Sequence, residues 1–60
     1  MRVFNGLRIG SIVIYEKNQQ KYRVMELLEN EGKRTCKIMS MTNADIILEV
    51  PVELCERIEN

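Results

Sequence analysis

From Ser11 to Tyr15 the chain reads Ser-Ile-Val-Ile-Tyr, a β-branched and aromatic run with Gly10 before it and the polar cluster Glu16 to Gln20 after it. A run of this kind between turn formers predicts a strand. From Lys21 onward polar and apolar residues alternate, Lys21 and Arg23 against Tyr22 and Val24, as in a sheet with one wet face and one dry one. Leu27 and Leu28 interrupt the alternation. A bulge near Met25 and Glu26 would return Leu27 to the face of Tyr22 and Val24 and sharpen the local twist. The competing reading is a helix, because Val24, Leu27, Leu28 and Glu31 also lie at helical spacing. The alternation at Lys21 to Val24 favours the strand.

Past Asn30 to Lys33, a loop in which Gly32 is free to take positive φ, alternation resumes over Arg34 to Met41, with Cys36 and Ile38 opposite Lys37 and Met39. This is a third strand. Thr42 to Asp45 is rich in turn formers, and Ile46 to Val50 is a mostly apolar fourth strand, expected to be covered on both faces. Pro51 has no amide hydrogen and ends the ladder there. It also suits the first position of a helix, so Val52, Leu54 and Ile58 would dock on the sheet from a helix, or from a short turn followed by a fifth strand beside the first. The expected fold is all-β, a small five-stranded, SH3-like, partly open barrel over residues 1–60, with a short helical turn before the last strand. Its expected core is Ile12, Ile14, Tyr22, Val24, Leu27, Cys36, Ile38, Ile47, Val50 and Leu54.

Leu7, Ile9 and Gly10, Val13, Tyr15, then Tyr22, Arg23 and Val24, Leu27, Lys37 and Ile38, and finally Val50 and Pro51 with Leu54 form a pattern over residues 7–58. It resembles the small N-terminal β-barrel of Mu and Tn7-type transposases, and is similar also to barrels of the KOW and Tudor kind. The resemblance implies an accessory DNA-binding module. The acidic catalytic triad of such transposases has no place in sixty residues, and Phe4, Tyr15 and Tyr22 are too few for the aromatic cage of a methyl-lysine reader.

Composition sharpens this picture by exclusion. Sixty residues bury only about 60% of the surface their unfolded chain exposes, which leaves no room for an enclosed substrate cavity. Self-association or a larger parent chain would add to so small a core. No apolar run is long enough to cross a bilayer and no signal-peptide pattern follows Met1, so the expected location is cytoplasmic. In that setting Cys36 and Cys55 are expected to be reduced, buried small hydrophobes rather than a disulfide.

The charge is zero overall but uneven. Residues 1–25 hold Arg2, Arg8, Lys17, Lys21 and Arg23 against Glu16 alone, while residues 38–60 hold Arg57 against Asp45, Glu49, Glu53, Glu56 and Glu59. A local basic face is therefore open to the chain even though its net field is weak.

Catalysis is poorly provided for. The chain has no histidine to serve as base for either cysteine, and the spacing of two lone cysteines fits no zinc site. Gly6, Gly10 and Gly32 form neither a dinucleotide fingerprint nor a P-loop. Glu29 with Glu31 and Glu53 with Glu56 fall in loops or exposed turns, where ordinary carboxylate behaviour is expected. No enzyme activity, cofactor, metal, small-molecule substrate or membrane is expected.

Two binding surfaces remain. Arg8, Lys17, Lys21 and Arg23 gather around the first hairpin, interleaved with Tyr15 and Tyr22, and are the expected contacts to nucleic-acid phosphates. Met25, Met39 and Met41, together with open strand edges, are the alternative, a surface for a protein partner or a second copy; the same methionines would equally serve as core.

Overall fold

The structure is a computed structural model and describes residues 4–59. Five strands follow one another: β1 (Ile12–Tyr15), β2 (Gln20–Asn30), β3 (Lys33–Ser40), β4 (Ile47–Pro51) and, after a single 3₁₀ turn over Val52–Leu54, β5 (Cys55–Glu59). All pairings are antiparallel in the order β4-β3-β2-β1-β5, with β4 and β5 at the two edges. The fold is thus all-β, and residues 20–30 are one strand rather than a helix. The two readings of the segment after Pro51 resolve as turn plus strand.

The local rules explain most of the boundaries. Asn30 pairs with Lys33 across a two-residue loop in which Glu31 and Gly32 both take positive φ, 52° and 82°, the left-handed pair whose twist matches a tight hairpin. In β2 the pairing passes from Val24 opposite Ile38 directly to Glu26 opposite Lys37, so Met25 is the extra residue of a bulge. That slip lets Leu27 pack against the same core as Tyr22 and Val24. Ser40 ends β3 by accepting the amides of Thr42 and Asn43 on its Oγ, a side-chain turn that starts the loop to β4.

The core consists of Leu7, Val13, Tyr22, Val24, Cys36, Ile38, Val50, Val52 and Cys55, with Phe4, Tyr15, Leu27 and Leu48 packed against it. Four of the expected core positions, Ile12, Ile14, Ile47 and Leu54, are corrected. Direct antiparallel partners share a face, and Val13 is the partner of Tyr22, so the inward side of β1 is Val13 and Tyr15 while Ile12 and Ile14 turn outward, half-buried. Leu48 opposes Ile38 and Val50 opposes Cys36, which places Ile47 on the outer face, 56% exposed. Past Pro51 the turn buries Val52 and Cys55 and leaves Leu54 half-buried and Ile58 exposed, Ile58 being the residue that β5 bulges out against β1.

The sheet is strongly bent. In the order of strands β3 and β5 are three spacings apart, about 14 Å if the sheet were flat, yet the sulfurs of Cys36 on β3 and Cys55 on β5 are 3.7 Å apart. The amide of Glu16 also donates to the carbonyl of Leu54, tying the end of β1 to the 3₁₀ turn. Bending of this degree encloses the inner face and leaves the other face convex.

Candidate nucleic-acid interface

Two of the expected basic residues, Lys21 and Arg23, lie on the convex face. Lys21 and Arg23 are two positions apart on β2, so both project from the side opposite Tyr22 and Val24, and both are exposed. Their cross-strand partners are aliphatic on one side, Ile14 and Ile12 of β1, and Arg23 meets Met39 of β3 on the other. Met39 in turn opposes Ile47. A row across the sheet therefore reads Ile47, Met39, Arg23, Ile12 and Glu59.

Lys17 sits in the turn at the tip of the β1–β2 hairpin. The turn is closed by the Gln19 amide donating to the Tyr15 carbonyl and by Asn18 Oδ1 accepting the Gln20 amide. Arg8 lies at the hairpin's other end, in the loop before β1. There its amide donates to Ser11 Oγ, and the Gly10 amide donates to the carbonyl of Val24. The four expected phosphate contacts thus fall along one hairpin, with Lys21 and Arg23 side by side and Lys17 and Arg8 at opposite ends. Arg2 lies outside the described residues.

Among the described residues there is one ion pair, Lys37 Nζ to Glu26 Oε1 at 3.5 Å, also on the convex face. None of Arg8, Lys17, Lys21 and Arg23 is neutralised by a neighbour in the described chain. The nearest acidic rim is β5, whose Glu56 and Glu59 oppose Ile14 and Ile12.

The tyrosines do not belong to this surface. Tyr22 is buried and Tyr15 half-buried, their rings edge to face with centroids 6.0 Å apart on the inner side of the sheet. The phenol oxygen of Tyr22 reaches out only far enough to accept from Asn18 Nδ2 at 2.9 Å. Any ligand of the convex face therefore meets aliphatic and thioether side chains beside the cations, not aromatic rings.

Of the methionines, Met39 is half-buried between Arg23 and Ile47, Met41 is exposed beyond the end of β3 with its amide donating to the Lys21 carbonyl, and Met25 is exposed at the bulge. The two surfaces expected separately from the sequence meet where Met39 opposes Arg23. Sequence reasoning missed Ile12, Ile14 and Ile47 on this face, because an all-apolar strand does not show which of its sides faces the core.

A second concavity, a cleft of about 270 Å³, opens between the hairpin tip and the 3₁₀ turn, lined by Ile14, Glu16, Gln19, Glu53, Leu54, Cys55 and Glu56. At its base Cys55 meets Cys36, both as free thiols. The hydrogen bond between them pushes the Cys36 thiol far up, with burial adding to it, and lowers that of Cys55 against the opposing effect of burial. Either thiol can donate in that contact, and the Cys55 thiol also lies 4.0 Å from the carbonyl of Pro51.

No grouping of three or more potential metal ligands exists among the described residues, and no helix there is long and apolar enough to cross a membrane. The chain matches no family model, no curated protein and no solved structure.

Proposed function

We propose that the chain is a non-enzymatic, cytoplasmic binding module, a small SH3-like, partly open barrel that engages the phosphate backbone of nucleic acid through the convex side of its β1–β2 hairpin. One observation carries this reading: among the described residues Lys21 and Arg23 stand two positions apart on one face and exposed with no acidic partner, with Lys17 and Arg8 in the loops at either end of the hairpin. Surface cations are ordinarily interspersed with carboxylates, and a run left unpaired on a chain of zero net charge is a local attraction for polyanions. The strand order, the bend and the 3₁₀ turn between β4 and β5 support the barrel, and the resemblance to the transposase barrels supports a DNA ligand. With the tyrosines turned inward, contact is to phosphates rather than by base stacking, so binding should be weak and insensitive to sequence.

The test is a titration of labelled single- and double-stranded oligonucleotides at 50 and 200 mM salt. Dissociation constants of about 10⁻⁴–10⁻⁶ M that rise steeply with salt are expected. The double exchange Lys21→Glu with Arg23→Glu should abolish them without loss of the β-sheet circular dichroism. Absence of binding at low salt, or unchanged binding by the folded double variant, overturns the proposal.

A protein partner or a second copy is the second reading, and its particular support is Ile47, Met41 and Met25, which stay exposed. An apolar surface of that kind on so small a domain favours a cover. Sedimentation of the free chain over a wide concentration range separates self-association from nucleic-acid binding.

A further inference from the structure

Apart from the convex face, the structure contains a pair of nucleophilic side chains that the proposed binding function does not use. Cys36 and Cys55 are 19 residues apart in sequence and sit on strands that are not neighbours in the sheet, yet their sulfurs touch at 3.7 Å. The 3₁₀ turn is what brings them together. Cys36 pairs with Val50 in the ladder, and the chain that leaves Val50 folds back through Val52–Leu54 to set Cys55 over Cys36. Shortening that contact to a bond requires a sulfur movement of about 1.7 Å, within the reach of side-chain rotation.

The two sulfurs differ in access. Cys36 is wholly buried, whereas Cys55 is 8% exposed and forms part of the wall of the open cleft. Buried thiols are inert in proportion to their enclosure, which leaves Cys55 as the sulfur an oxidant reaches first. Glu16, Glu53 and Glu56 line the same cleft. Their charge repels anionic oxidants such as glutathione disulfide and leaves small neutral ones unhindered.

We propose that Cys55 and Cys36 form a peroxide-sensitive thiol pair, Cys55 attacking a neutral hydroperoxide and Cys36 resolving the product, so that oxidation staples β3 to β5 across the interior. In the first step the Cys55 sulfur, having lost its proton, attacks one peroxide oxygen. The O–O bond breaks, the departing oxygen takes up the proton as an alcohol or water, and Cys55 becomes a sulfenic acid. In the second step the Cys36 sulfur attacks the Cys55 sulfur, the S–O bond breaks, and the hydroxide leaves with the proton of Cys36 as water. Two thiols lose two electrons and the hydroperoxide gains them.

The consequence is mechanical. The sheet has free edges at β4 and β5, and a covalent tie between β3 and β5 fixes its bend, and with it the curvature of the face that carries Lys21 and Arg23.

The test exposes the folded chain to hydrogen peroxide and follows intact mass. The expected product is a monomer lighter by two hydrogens, restored by dithiothreitol, with a melting temperature higher by roughly 10 °C or more. In Cys36→Ser a cyclic diketone should trap a sulfenic acid at Cys55, and in Cys55→Ser it should trap none at Cys36. Glutathione disulfide at the same concentration should react far more slowly. Oxygen adducts without loss of hydrogen, disulfide-linked dimers, no reaction short of denaturation, or trapping at Cys36 each overturn the proposal. The mass of the unsubstituted protein decides it even if the serine variants fail to fold.

Discussion

Ile38 and Ile47 are the same side chain on adjacent strands, one register step from being partners, and their surroundings are opposite. Ile38 opposes Leu48 and is sealed within the bend of the sheet; Ile47 opposes Met39 and is 56% exposed on the convex side. The contrast extends across the whole sheet. The inner face is continuous from Val50 through Cys36 or Ile38 to Val24, Tyr22 and Val13, whereas the convex face mixes aliphatic residues with Lys21, Arg23 and the Glu26–Lys37 pair. Hydrophobicity alone does not decide burial here; the side of the pleat does. The apolar residues left outside are the part of the sequence that folding does not use, and they surround the cations of the candidate interface.

The largest expected effect lies on the inner face. Ile38→Ala should destabilise by about 2–5 kcal/mol, because a close-packed site in a small core cannot collapse to refill the space. Ile47→Ala should change stability by no more than about 0.5 kcal/mol. Urea denaturation of the two variants checks this directly, and equal losses would mean that the convex face is also covered in solution. A smaller effect is expected where the inner face meets the surface. Tyr22→Phe keeps the buried ring and removes only the bond from Asn18, which should cost about 0.5–1.5 kcal/mol; a loss of the size seen for Ile38 would show that the ring itself is held by that bond. The smallest belongs to the convex ion pair. Glu26 and Lys37 are 54% and 45% exposed in their side chains, so a double-mutant cycle should find a coupling of about 0.2–1 kcal/mol that fades in 1 M salt.

Wherever polar and apolar residues alternated, their sides were legible in advance. Lys21, Tyr22, Arg23 and Val24 allow only one arrangement at low cost, and so do Cys36, Lys37, Ile38 and Met39. The bulge at Met25 was legible for the same reason, since Leu27 had to regain the side of Val24. Ile12 to Tyr15 and Ile46 to Leu48 gave no such guidance, because either side of an all-apolar strand is acceptable to the core. The candidate interface shows the same division: Lys21 and Arg23 were placed outward by alternation, while Tyr15 and Tyr22, expected among the cations with Tyr22 also in the core, pack against each other inside.

The amino-acid order by itself determined the first four strands, the turn at Gly32, the end of the ladder at Pro51, and the outward sides of β2 and β3, since these depend on backbone preference and on the cost of burying an ion. Only the tertiary structure decided which side of β1 and β4 faces inward, that Arg23 and Met39 sit side by side on one face, and that Cys36 meets Cys55. Those outcomes follow from hairpin register and from the bend of the sheet, which depend on residues far apart in the chain and leave no trace in any one local stretch.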